Sequence, residues 1–174
     1  MLRWPSLVSI LLSILLMGCS PPSTAKPTIN TSGSPTPAPV STGQYLPITA
    51  QATLPKGTKI NLEVARTPEQ QTMGLMYRPA LPEDRGMLFE FPSLQPVSFW
   101  MKNVPVALDM VFLQNGTVKY IVTAPPCAGE PCPTYGPNLP IDQVIELRAG
   151  RAAELGLQVG NQVKINFLKS SPSQ

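Results

Sequence analysis

Trp100, Lys102 and Asp109 fall within one short string, FWMKNVPVALDMVFL. An indole, an ammonium and a carboxylate at this spacing can serve two kinds of chemistry. Together they can recognise a carbohydrate, a peptide or a small anion, the indole supplying an apolar face with a polar handle. Alternatively, Asp109 joined by Glu90 or Glu146 could form the acid–base pair of glycosidic bond cleavage. The chain contains no histidine, so the commonest general base and the commonest metal ligand are missing. Serine–histidine–aspartate hydrolysis, cysteine–histidine chemistry and histidine-ligated zinc are excluded with it. No spacing forces two carboxylates together. A non-catalytic binding or interaction module is therefore expected ahead of a histidine-independent hydrolase or transferase acting on envelope carbohydrate. No catalytic residue, metal ligand or cofactor is assigned.

Cys127 and Cys132 bracket a proline-rich loop, PPCAGEPCPTYGP. In an exported chain two cysteines this close are expected to be joined. The bond closes a ring of six residues and contributes about 2 kcal/mol by the loop-entropy relation. Two cysteines without histidine make a poor metal site, and the spacing is not the C-x-x-C of redox enzymes.

These residues must be positioned by strands. Asn115-Gly116 is a strong two-residue hairpin signal, because both positions tolerate positive φ. Pairing Gln114 with Thr117 sets Met110 opposite Ile121 and Asp109 opposite Val122. If Lys102 then pairs with Ala107, Phe99 lies opposite Met110 and Trp100 opposite Asp109. This register gathers Val97, Phe99, Met101, Leu108, Met110 and Phe112 on one apolar face. It leaves Trp100, Lys102, Asp109, Val111, Tyr120 and Val122 on the other. A one-residue slip would exchange the faces. A carboxylate among Ala107, Val111 and Val122 needs a partner, and Lys102 or an arginine from elsewhere is expected to supply it, as a structural ion pair before a catalytic one.

The rest of the domain also reads as mainly β. Ile60, Leu62 and Val64 alternate with polar residues, and Met87, Phe89 and Phe91, then Val97, Phe99 and Met101, recur at every second position. Further strands are expected over 106–113, 117–123 and 144–148, and a last one carrying Val163, Ile165 and Phe167. Thr67-Pro68-Glu69-Gln70 opens a helix with a capping box and proline at its first position, ending near Tyr77. A second short helix near 151–155 stops at Gly156. Many short strands with turn signals between them predict a compact β-sandwich or open barrel with one or two short helices.

Before this domain the chain changes character. Residues 7–17 are apolar apart from two serines, follow a single arginine, and end in Leu16-Met17-Gly18-Cys19. The run is too short to span a bilayer, which takes about 20 apolar residues, and has the form of a secretory signal peptide. Its ending resembles the bacterial lipobox, making Cys19 the expected lipid-bearing residue and the membrane a partner through that anchor. Residues 20–44, rich in proline, serine and threonine, form a flexible tether. The folded domain is expected over 45–169, with a tail at 170–174. Export to the cell envelope, facing the periplasm or the cell surface, follows. The 13 basic and 10 acidic residues, net charge +3, are mixed along the chain, unlike the concentrated positive surface of a nucleic-acid binder.

Four strings in order, VARTPEQQTMGLMYRPALPEDRGMLFEF, VSFWMKNVPVALDMVFL, APPCAGEPCPTYGP and VIELRAGRAAELGLQVGNQVKI, resemble the bacterial and archaeal family known as domain of unknown function 192. The likeness runs from about Lys59 to Phe167. It implies an exported, compact, mainly β domain and supplies no function. Carried over residue by residue, the matching polar positions are Arg66, Arg78, Arg85, Trp100, Lys102, Asn103, Asp109, Cys127, Cys132 and Tyr135. Of these, Arg66, Arg85, Trp100, Lys102, Asn103, Asp109 and Tyr135 are the candidate binding residues. Arg66 would otherwise tie helix to sheet, Arg78 and Arg85 would pair locally with Glu83 and Asp84, and Asn103 would stabilise its turn. The chain departs from the family pattern at Ala107, where proline is frequent, and at Asn115 and Asn161, where aspartate is common.

Overall fold

The structure, a computed structural model, describes residues 42–169. The expected signal peptide with its lipid-bearing Cys19, nearly all of the expected tether and the expected tail lie outside the described residues.

Nine strands and two short helices follow in the order β1 (Ile48–Thr53), β2 (Lys59–Ala65), α1 (Pro68–Met73), β3 (Arg85–Pro96), β4 (Phe99–Trp100), β5 (Leu108–Gln114), β6 (Thr117–Ala124), β7 (Thr134–Tyr135), β8 (Pro140–Arg148), α2 (Arg151–Glu154) and β9 (Lys164–Phe167). Seven strands form one sheet in the order β6-β5-β8-β3-β2-β1-β9, and β4 and β7 form a separate two-stranded ribbon. Among the described residues only β2 and β3 run parallel, and α1 is the crossover between them. The sheet is not closed by a continuous ladder, although Thr117 at the start of β6 bridges to Gln162 just ahead of β9. Of the expected β-sandwich or open barrel with one or two short helices, the mainly β character and the short helices are observed, and the sheet is open.

Alternation along the strands sends side chains to two cores, one on each face. Leu62, Val64, Leu88, Val111, Ile145 and Leu147 face one core, which α2 covers with Ala152 and Leu155. Met87, Phe89, Leu108, Met110, Phe112 and Val144 face the other, beneath Leu75, Met101 and Val104. Central strands buried on both faces read as nearly continuous apolar runs, which is why LDMVFL in β5 is buried throughout.

Helix α1 starts as its sequence dictates. The Thr67 hydroxyl accepts from the Gln70 amide, and the Gln70 side chain accepts from the Thr67 amide. The helix stops at Met73, one turn short of Tyr77, because Gly74 takes φ 47°. Gln44 then donates its side-chain amide to the Gln70 and Gly74 carbonyls, so the packed chain begins just before Tyr45.

The hairpin at Asn115-Gly116 forms, and Gln114 pairs with Thr117. Two parts of the register built on it are corrected. A bulge in β6 adds one residue beyond Val118, so Met110 pairs with Val122 and Asp109 with Thr123. That extra residue flips the outer half of β6. Tyr120 now packs on Phe112, with ring centroids 5.7 Å apart, and Val122 joins the same core. The second correction concerns 97–101. This segment does not pair with β5, whose second edge is occupied by β8 from Leu108 to Leu113. Its Phe99-Trp100 instead pairs with Thr134-Tyr135.

Candidate functional site

The β4–β7 ribbon lies over the sheet face that carries Phe89 and Phe112. The Phe99 ring meets Phe89 edge-on at 4.9 Å and Phe112 at 6.0 Å. The ribbon is held close by Gly136, where a Cβ would collide with the Val97 carbonyl oxygen. The six residues expected on one apolar face, Val97, Phe99, Met101, Leu108, Met110 and Phe112, do share that core. Trp100 and Asp109 do not share the opposite one. Asp109 alternates with Leu108 and Met110 and faces the α2 side with Val111. The expected neighbourhood of Trp100 and Asp109 is therefore overturned, because the sheet lies between them.

Asp109 is 2% exposed, and its partners are not cations. Oδ1 accepts from the Thr123 hydroxyl at 2.6 Å and Oδ2 from the Ala152 amide at 2.8 Å. Helix α2 begins after Gly150 and has no cap from its own side chains. Asp109 supplies that cap from another strand, placing a carboxylate at the positive end of the helix. Lys102 instead pairs with Glu130 at 2.9 Å and sits 5.3 Å from the centre of the Trp100 ring. It holds the Glu130 carboxyl below the usual carboxylate range, chiefly through their hydrogen bond.

The remaining candidates scatter. The Arg66 guanidinium lies over Phe167 and donates to Thr49, and its backbone amide donates to Gln70, so it ties helix to sheet as expected. Arg78 does not pair with Glu83 or Asp84. It is buried and grips Glu63 with two hydrogen bonds, 2.7 and 3.0 Å, under the Tyr45 ring. Glu83 pairs with Arg148, and Asp84 accepts from Asn61. Arg85 has a buried Nε without a partner. Asn103, at φ 57°, donates to the Tyr77 hydroxyl and accepts from its amide, fixing the turn. Tyr135 pairs with Phe99 and packs with Cys127 against the core under the ribbon. Cys127 and Cys132 are joined as a disulfide.

What the ribbon creates is a cleft of about 470 Å³ between α1, the outer part of β3 and the 96–100 segment. Phe91, Phe99 and Trp100 form its aromatic walls, and Gln71, Thr72 and Ser98 supply neutral polar groups. Trp100 is 44% exposed. Gln71, Thr72, Phe89, Phe99 and Trp100 also line a narrow inner slot of about 30 Å³, at which Glu146 is found. Glu146 lies between Met87 and Met110 on neighbouring strands and is 4% exposed. Burial alone pushes its carboxyl up to about 8, because a charge in apolar surroundings is disfavoured. Sequence reasoning named Glu146 only as a possible partner of Asp109. The signal that could have singled it out is its place in VIELR, where every neighbour reads as buried sheet. The carboxylates once considered as a pair do not converge. Asp109 points to the opposite face, and alternation turns Glu90 away from Phe89 and the cleft, where its side chain meets Gln143.

An open β domain with an aromatic cleft under a disulfide-bounded ribbon thus defines the class. The family model DUF192, described as "Uncharacterized ACR", matches residues 50–165, and the chain belongs to this family. No functionally curated protein matches. A solved structure described as a "putative transcription regulator" from Sinorhizobium meliloti 1021 is 34% identical. It covers 70% of this chain and 97% of its own, with a TM-score of 0.61. A protein of unknown function from Novosphingobium aromaticivorans DSM 12444 is 29% identical. It covers 80% of this chain and 99% of its own, with a TM-score of 0.60.

Proposed function

We propose that this chain is a non-catalytic binding module of the bacterial cell envelope, exported and anchored through lipid on Cys19, that takes a neutral ring-bearing ligand of the carbohydrate type. The cleft beside Trp100 carries the reading. Its volume is in the range of small-molecule sites, which run from about 300 to 1,000 Å³. Its walls are aromatic, and Gln71, Thr72 and Ser98 offer neutral hydrogen-bonding groups. No cation is among the residues lining it, which favours a sugar over the small anion also considered. The even mixing of charge along the chain supports a ligand other than nucleic acid. A lipid-bearing Cys19 followed by the 20–44 tether would hold the cleft off the membrane, two or more acyl chains being needed for a stable anchor.

Titration of the full-length protein in detergent with neutral sugars, followed by calorimetry, tests the cleft. Trp100→Ala is expected to weaken binding at least tenfold without lowering the melting temperature. Binding that is indifferent to Trp100 would overturn the assignment. Cys19→Ala is expected to abolish labelling by palmitate and to release the protein from the membrane pellet. Retention of both label and membrane would refute the anchor.

A further inference from the structure

Glu146 takes no part in the ion pairs among the described residues, and it lines the small slot that shares Gln71, Thr72, Phe89, Phe99 and Trp100 with the cleft. We propose that Glu146 acts there as a hydrogen-bond donor to one small acceptor group, and that the cleft selects sugars carrying an acetamido group. This rests on the cleft being a carbohydrate site.

The slot leaves about 30 Å³ for the centres of water-sized groups, enough for roughly two such groups, which is the methyl and carbonyl end of one small substituent. Its walls include Leu75, Phe89, Phe99 and Val104, all apolar, and only Glu146 brings a carboxyl to it. A methyl group suits those walls, and a carbonyl oxygen suits a carboxylic acid O–H; the acetamido group carries both. Gln71, at the junction of slot and mouth, gives its side-chain N–H groups to the Ala65 and Glu90 carbonyls. Its amide oxygen is thereby left as the end that can accept, matching the N–H of the same acetamido group. A plain hydroxyl would fill the slot less well and leave part of the apolar wall uncovered.

The surroundings keep Glu146 in its donor form. The slot residues from α1 and its following turn, Gln71 to Met76, and from β3, β4 and the turn at Val104 carry no charge. Met87 and Met110 flank it across the strands. Asp109, on β5, faces the other side of the sheet. The charged side chains on the same face are Arg85 and Arg148, two residues further along β3 and β8, and Glu63, which lies across Met87 in the same row and is held by Arg78. Arg148 is taken up by Glu154 and Glu83, and neither Arg85 nor Arg148 forms an ion pair with Glu146 among the described residues.

The test titrates the full-length protein with N-acetylglucosamine, glucosamine and glucose at pH 6.5, and with N-acetylglucosamine again up to pH 9. N-acetylglucosamine is expected to bind at least tenfold more tightly than glucose, and to weaken as pH rises through about 8, where Glu146 ionises. Glu146→Gln, which keeps a donor, is expected to retain binding and abolish the pH dependence. Glu146→Leu is expected to lose the preference for the acetamido sugar, with melting curves confirming that each variant is folded. Tighter binding of glucosamine at pH 6.5 would overturn the inference, because the carboxylate would then be pairing with an ammonium. Equal binding of N-acetylglucosamine and glucose, still dependent on Trp100, would overturn the acetamido selection and leave the binding module standing. Absence of binding by all three sugars would overturn both.

Discussion

Glu63 and Glu146 stand in one cross-strand row of the sheet with Met87 between them, and only Glu63 has a cation. Glu63 pairs with Met87 across β2 and β3, and Met87 with Glu146 across β3 and β8. Strands lie about 4.8 Å apart, so the two residues are roughly 10 Å apart along the row. Both are under 5% exposed. Arg78 grips both oxygens of Glu63, and the Leu46 amide adds a third hydrogen bond. Glu146 faces the cleft without such partners. One face of one sheet thus holds a fixed charge and a neutral acid, with different consequences.

The Arg78–Glu63 pair is a structural joint. Removing one partner of a buried ion pair leaves an uncompensated charge and costs about 3–5 kcal/mol. Arg78→Ala is expected to lower the unfolding free energy by that much in denaturant titration. The double variant Glu63→Leu with Arg78→Met is expected to recover a large share, since a buried pair can often be replaced by apolar residues of similar volume. A double variant as unstable as Arg78→Ala would show that the stabilisation lies in the geometry of the pair itself.

Glu146 makes stability depend on pH in the unusual direction for a carboxylate. Its folded pKa is near 8, and its ordinary value is 4.5. The unfolded chain releases the proton first, so the folded state binds more protons between these values. The contribution is fully present below about pH 4.5 and is lost as pH rises through about 8, a change of about 5 kcal/mol at most. Glu146→Gln is expected to flatten this part of the stability profile, as measured by denaturant titration from pH 5 to 9. A profile unchanged by the substitution would place the titration elsewhere.

The sequence signals that held were those enforced over short distances. Thr67 to Gln70 carries its own capping box, Asn115-Gly116 its own turn, and Cys127 and Cys132 lie only five positions apart. The strands expected around 60–64 and 87–91 also formed, with residues of β3 buried on both faces of the sheet. What failed required knowing a non-local partner. The edge of β5 beyond its hairpin went to β8, more than thirty residues later in the chain, so Trp100 was placed beside Asp109 when a sheet separates them. The bulge at Lys119 leaves no mark in TVKYIVTA, yet it moved Tyr120 and Val122 to the other face. β1 was missed because ITAQAT offers alanines where larger apolar residues would advertise a core. The cleft could not be read at all, since it is made by the ribbon crossing over the sheet.

Asp109 now has a definite job. It ties β5 to Thr123 and caps α2 through the Ala152 amide. Hydrogen bonds to a charged group contribute about 1.5–3 kcal/mol, so Asp109→Ala is expected to destabilise the protein by about 2–4 kcal/mol. Hydrogen exchange should quicken first at 151–155. Sugar affinity of the folded variant is expected to stay within twofold of the original, because Asp109 faces away from the cleft. A loss of affinity without a loss of stability would return Asp109 to the list of site residues.

The disulfide steadies the wall of the cleft from behind. Cys127 packs with Tyr135 against the core beneath the ribbon, and the Cys127–Cys132 ring carries Glu130, which meets Lys102 beside Trp100. The Lys102–Glu130 pair is 40% and 60% exposed, and an exposed pair of this kind contributes little to stability. The covalent link, closing its small ring, contributes about 2 kcal/mol by restricting the unfolded chain. The double variant Cys127→Ser with Cys132→Ser is therefore expected to lose about 2 kcal/mol of stability, and Lys102→Ala markedly less. Because the loop leads directly into β7, the cysteine variant should also show faster hydrogen exchange over 125–136 and a weaker, broader binding response at Trp100. If exchange instead rises evenly over the sheet, with affinity unchanged, the loop stabilises the domain as a whole and does not brace the cleft.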